Sequence, residues 1–223
     1  LSPTCTGPSV TTSPAPAAVT YGANAQFTAA GVGSLQWQVL TTESGAAWTD
    51  ISGATSSPLT VSSPTVAMSG YQYRAVFSAC GTTATSNAAT LTVNPAPVTI
   101  TAGSYNGVYD GDSHAPSACV VSGAYTGALT CTNNPASVGP NVGSGTVTPV
   151  LALNGETESN FSVTPVNGSW SIGQASSTVT VSCPVSVAYN GSPQEPCTAQ
   201  ATGVGMSPVA LTVTYSADHT NVG

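Results

Sequence analysis

Residues 34–40 read SLQWQVL and residues 71–78 read YQYRAVFS. In the first, Leu35, Trp37 and Val39 alternate with Ser34, Gln36 and Gln38; in the second, Tyr71, Tyr73, Ala75 and Phe77 alternate with Gln72, Arg74, Val76 and Ser78. A period of two with one apolar face marks a half-buried antiparallel strand. Similar strand-sized segments recur along the chain, among them AQFTAA (25–30), SPLTVSS (57–63), ATLTVN (89–94), VTITAG (98–103), GTVTPVLAL (145–153), FSVTPV (161–166), STVTVSC (177–183) and ALTVTYS (210–216). No helical apolar period persists beyond two turns, and 23 glycines and 17 prolines punctuate the strands. The pattern predicts an all-β chain of β-sandwiches arranged as beads on a string, and not βαβ units.

Two boundaries divide it. Asn94-Pro95-Ala96-Pro97 removes two backbone donors and forces extended conformations, which makes a stiff hinge. A small polar linker, GQASS (173–177), separates a strand ending near Ile172 from one beginning near Thr178. The expected domains are therefore 1–95, 96–174 and 175–223.

The last two are copies. Tyr109-Asp110-Gly111 recurs eighty residues later as Tyr189-Asn190-Gly191, Pro116 as Pro196, and Asn141-Val142-Gly143 as Asn221-Val222-Gly223. A fixed period of this kind signals tandem structural units. The second copy has no counterpart of GTVTPVLAL, FSVTPV and SWSI. The expectation is that strands following Gly223, or strands from another molecule, complete it, since an open half-sandwich exposes unpaired edges.

Composition excludes several functions. The chain of 223 residues has one Lys or Arg against eight Asp or Glu, a net charge of −7. Phosphate neutralisation has nothing to work with, so no nucleic acid is expected as partner. No apolar run approaches the ~20 residues of a membrane helix, and no membrane insertion is expected. Leu1 is not a start methionine, and the expectation is a mature or excerpted chain whose leader has been removed.

Cys5, Cys80, Cys119, Cys131, Cys183 and Cys197 are even in number and lack CxxC metal spacing. Their spacing favours one bridge per unit, Cys5 with Cys80, Cys119 with Cys131 and Cys183 with Cys197, among the fifteen connectivities that six cysteines allow. Disulfides imply an oxidising compartment.

The first segment resembles the immunoglobulin-like modules of bacterial secreted and surface proteins. The residues that carry the resemblance are Trp37, Trp48 with TDISGAT (49–55), Gly70, YQYRA (71–75) and ATSNAATLTV (84–93). It implies that Trp37 and Tyr73 are structural core. The chain departs from the immunoglobulin pattern at Ala75, where a cysteine would form the inter-sheet disulfide. The remainder resembles the MBG repeats of large bacterial extracellular proteins, through YDG and YNG followed by His or Gln and Pro, then LTVTYS and NVG, and the SIGQAS junction. That resemblance implies an exported, non-catalytic repeat protein.

Each chemically suggestive group has a plainer reading. Asp110-Gly111-Asp112 offers carboxylates to a cation, but Asn190-Gly191-Ser192 keeps the turn chemistry and drops both, so a turn is expected and no metal. Glu156 and Glu158 read as a solvated loop. His114 and His219 have no His or Cys at ligand spacing, no G-x-S-x-G elbow occurs, and neither catalytic residues nor cofactors are expected. The sequons at Asn160, Asn167 and Asn190 read as loop residues, and Arg74 has either an aromatic ring or an acid as partner. The function expected is a structural segment of a secreted or cell-surface protein, self-associating as a homopolymer or filament through strand exchange, or neighbouring repeats of its own chain. The alternative is cell adhesion, through a glycan or host-matrix ligand.

Overall fold

A computed structural model describes residues 5–215. The structure is all-β, with tandem β-sandwich domains and two single-turn 3-10 segments as its only helical elements among the described residues. Asp218, His219 and the second Asn-Val-Gly lie outside them.

In the first sandwich, Ser34–Leu40 and Gln72–Ala79 pair antiparallel with Trp37 opposite Ala75. Their sheet continues through Ala89–Asn94 to Ala17–Thr20, which runs parallel to that strand, and on the other side reaches Thr49–Asp50. Thr82–Thr85 closes a hairpin on Gln72–Ala79 with Ala79 opposite Thr82. Its two turn residues, Cys80 (φ 54°) and Gly81 (φ 73°), both take left-handed dihedrals, as a tight turn matched to strand twist requires. Two short antiparallel pairs complete the domain, Ser9–Thr12 with Ala30–Val32 and Ala25–Phe27 with Leu59–Val61. The alternation in the sequence becomes burial. Trp37, Ala75, Ala89 and Leu91 have no measurable exposure, and Phe27, Tyr73, Phe77 and Val93 are nearly as enclosed. Phe27 stacks on Tyr73 with centroids 4.6 Å apart, and the Trp37 indole N–H donates to the Ser56 carbonyl at 2.9 Å, so this large ring is buried without an orphaned donor.

After Pro95, Ala96–Thr101 pairs antiparallel with Val120–Gly123 on one side and parallel with Phe161–Val166 on the other. Ala96, Val98, Leu129 and Phe161 form the buried centre there, with Leu151, Leu153 and Val163 against it. A four-stranded sheet has the order Tyr105–Val108, Gly168–Gly173, Gly143–Ala152, Thr130–Asn134. Ser177–Ser182, Thr198–Gly203 and Val209–Leu211 make a final antiparallel sheet.

Contacts divide the chain into two compact units, one of residues 1–101, 120–131 and 150–166, the other of 102–119, 132–149 and 167–223. The contacts of residues 96–166 are thus shared between them.

Candidate functional site

The Asp110-Gly111-Asp112 segment is a turn closed by its own side chain. The Asp112 N–H donates to Asp110 Oδ1 at 2.9 Å, and Gly111 has φ 91°. The second copy does the same without a carboxylate: the Ser192 N–H donates to Asn190 Oδ1 at 3.0 Å, with Gly191 at φ 78°. Asp110 also meets His114, whose Nε2 lies 2.9 Å from Oδ2, and the His114 ring stacks on Tyr105. The Asp112 N–H first, and His114 second, hold the Asp110 carboxyl below its usual range. Among the described residues, no three His, Cys, Asp or Glu side chains are grouped to hold a metal ion.

All six cysteines are disulfide-bonded. Cys5 joins Cys80, and Cys183 joins Cys197, with Cα separations of 5.9 Å and 4.2 Å. Arg74 has an aromatic partner: its guanidinium lies 4.1 Å from the Trp48 ring centroid, and its Nε donates to Gln38 Oε1 at 2.8 Å. One face of Trp48 is thereby occupied, and Trp37 is enclosed.

Tyr73 is buried, and burial first, with Tyr71 second, pushes its phenol up to about 12. An acid whose folded pKa is raised loses stability as pH climbs above its unfolded value, here from near 10 to near 12. The expected cost at the top of that window is about 3 kcal/mol, read as alkaline unfolding that Tyr73→Phe delays. An unfolding midpoint identical in the two chains would contradict it.

Two tyrosines pack their turns against later segments of the chain. Tyr21 follows Ala17–Thr20, and its N–H donates to the Asn94 carbonyl at 2.9 Å. Its hydroxyl donates to Glu156 Oε2 at 3.0 Å while Oε1 accepts the Ala128 N–H at 3.0 Å. Glu156 is therefore half-buried and engaged, contrary to the solvated loop expected from sequence; the left-handed pair Asn154 and Gly155 turns the chain back so that it points inward. The Tyr21 ring meets Tyr125 and Phe161 edge-on at 5.4 Å and 5.3 Å, and burial, then Glu156, raises its pKa. Gly22 is required, since a Cβ there would run into the Tyr125 ring. Asn160 accepts the Val66 N–H at 2.9 Å and is 3% exposed. That sequon is an internal contact and not a free loop.

Tyr109 repeats the arrangement. It follows Tyr105–Val108, and its N–H donates to the Gly173 carbonyl at 2.9 Å. Its hydroxyl approaches Gly205 so closely that a Cβ would lie 2.7 Å away. The grooves at the two tyrosines are lined by corresponding residues. Tyr21, Ala96, Pro97 and Ala124 line one of about 230 Å³; Tyr109, Ala175, Ser176 and Val204 line one of about 370 Å³.

The correspondence extends to the strand ladder. Val98 opposes Gly123 and Ile100 opposes Val121, while Ser177 opposes Gly203 and Val179 opposes Ala201. Ile100 is 4% exposed and its counterpart Val179 is 58%; Ala102 is 5% exposed and Val181 is 57%. Phe161–Val166 lies beside the earlier strand, whereas Ser177–Ser182 is an edge among the described residues. An apolar edge strand with both a free hydrogen-bonding side and an uncovered face is a template for another strand.

A family model described as a domain of unknown function (DUF8696) matches residues 9–95. Endoglucanase C of Cellulomonas fimi is 39% identical over 103 residues, 44% of this chain and 9% of that protein, so the chain spans less than a tenth of this curated relative. Among solved structures, the N-terminal Ig1-2 module of the Drosophila receptor protein tyrosine phosphatase DLAR is 17% identical, covering 75% of this chain and 99% of that one at a TM-score of 0.30. The I9-I11 tandem from titin is 11% identical, covering 93% and 82% at 0.35. Sidekick-1 immunoglobulin domains 1-5 are 13% identical, covering 91% and 46% at 0.33.

Proposed function

We propose that this chain is a non-catalytic structural segment of an exported protein that extends through tandem β-sandwiches, and that its last repeat is completed by strands from a neighbouring copy to build a filament. The exposure of Val179 and Val181, against the burial of Ile100 and Ala102 at the corresponding positions, carries this reading. Covering the exposed part of the two valines stabilises by about 1 kcal/mol each, and a strand added along Ser177–Ser182 gains main-chain hydrogen bonds as in other β-augmentation.

Disulfide bonding of all six cysteines supports export. Among the described residues no helix is long and apolar enough to cross a membrane. The likeness to a short stretch of an endoglucanase suits a non-catalytic segment within a larger protein. Self-association is the partner relation proposed.

Sedimentation velocity over a concentration series tests it. The expected result is association that grows with concentration and is lost in the double variant Val179→Lys, Val181→Lys. A chain that stays monomeric throughout would end the strand-exchange reading.

A further inference from the structure

The two sheets of the first sandwich part along one side. Among the described residues each ends there in a short edge strand, Thr49–Asp50 on one sheet and Leu59–Val61 on the other. Between them lies a groove of about 250 Å³, walled by Val39, Ile51, Leu59, Val61 and Met68, with Tyr73 also facing it. No residue that lines it is charged, and all of them belong to the first compact unit.

Tyr73 brings a polar atom to these apolar walls. The residue is 3% exposed and its ring stacks on Phe27, yet its hydroxyl makes no hydrogen bond among the described residues. In a tyrosine corner the phenol bonds the backbone a few residues upstream; that of Tyr73 does not. No side-chain oxygen or nitrogen among the described residues is both sealed from solvent and without a partner, so the hydroxyl opens into the groove that Tyr73 lines. Burial pushes its pKa up to about 12, and it stands there as a donor at neutral pH.

We propose that this groove binds a small uncharged molecule, largely apolar, that carries one hydrogen-bond acceptor for the Tyr73 hydroxyl. The chemistry of the occupant follows from the lining. Apolar walls favour burial of hydrocarbon surface, and without a charged partner a carboxylate or ammonium is costly there. The single donor asks for a carbonyl or ether oxygen at one end of the molecule. A water at the hydroxyl finds one partner against apolar walls, where buried waters take about three, so a ligand oxygen displaces it readily. An apolar cavity of about 150 Å³ holds benzene, and the larger volume here suits a two-ring compound. Met68 is unbranched and adapts its thioether to the shape of the guest. The proposal adds a binding function and does not rest on the filament reading, since Ser177–Ser182 belongs to the other unit.

The test uses the full chain isotope-labelled at its methionine methyls, which gives one signal from Met68 in the groove and one from Met206 in the other unit. α-Tetralone, a neutral two-ring ketone, is expected to shift Met68 saturably and leave Met206 in place, and naphthoate, a two-ring carboxylate, to shift neither. Tyr73→Phe keeps the ring and removes the hydroxyl. It should weaken α-tetralone by about five- to tenfold and leave tetralin, the same rings without the oxygen, unchanged. Val61→Phe, which fills the groove from a half-buried position, should abolish the Met68 shift with both probes. The proposal is overturned if α-tetralone leaves Met68 unmoved or moves Met68 and Met206 alike, or if Tyr73→Phe weakens both probes equally. A Met68 shift that follows protein concentration and ignores the probe would assign the groove to a side chain of a second copy, and overturns it as well.

Discussion

Replacing Trp37 by alanine is expected to destabilise the first sandwich by about 3–5 kcal/mol, the range for deleting a buried aromatic side chain. Trp37 has no measurable exposure and sits in a core with Phe27, Tyr73 and Leu91, so the neighbours cannot collapse into the vacated volume without leaving rotamer minima. A further contribution comes from the Ser56 carbonyl, which loses the indole donor 2.9 Å away; a hydrogen bond of this kind is worth about 1 kcal/mol. In urea, with a slope of about 2 kcal/mol per molar, the midpoint should move down by about 2 M. Trp37→Phe keeps most of the volume and should cost less than half as much. A shift smaller for alanine than for phenylalanine would contradict the assignment of Trp37 to the core.

The second large effect concerns the bridge between Cys5 and Cys80, whose sequence separation is 75 residues. Closing a loop of that length removes unfolded-state entropy worth about 4 kcal/mol on the chain-entropy account. Cys80 also holds φ 54°, a conformation costly for a residue with a side chain. The Cys5→Ser, Cys80→Ser double variant leaves the other cysteines untouched, and its unfolding midpoint should fall to a similar extent as that of Trp37→Ala. A change below about 1 kcal/mol would show that the unfolded chain is already ordered near these residues.

Much of the architecture was legible because it is written in nearest-neighbour chemistry. SLQWQVL and YQYRAVFS carry their inward and outward faces in a period of two, and Trp37 opposite Ala75 realises it. The YDG and YNG segments announced a turn whose identity survived the loss of both carboxylates, and the two Asx hydrogen bonds show why: either Asp or Asn supplies the side-chain oxygen. What escaped the sequence lies at long range. Tyr21 and Glu156 are 135 residues apart, and nothing local marks Glu156 as the acceptor for a phenol or Asn160 as the acceptor for the Val66 amide. Tyr21 was hidden for a second reason. Its turn reads Tyr-Gly-Ala-Asn, with the glycine one position earlier than in the repeats, so it matches Tyr109 in its backbone bond to a later strand and not in its letters.

The open strand edge is not visible in the letters of STVTVSC; the exposure of Val179 and Val181 locates it among the described residues.

Amide hydrogen exchange over Ser177–Ser182 at low and high protein concentration tests the central claim most directly. In the monomer, the amides on the open side of that strand should exchange rapidly while those of Ala96–Thr101, which is paired on both sides, exchange slowly. On association the two strands should become alike. Exchange at Ser177–Ser182 that stays fast in assembled material would contradict completion of the last repeat by a neighbouring chain.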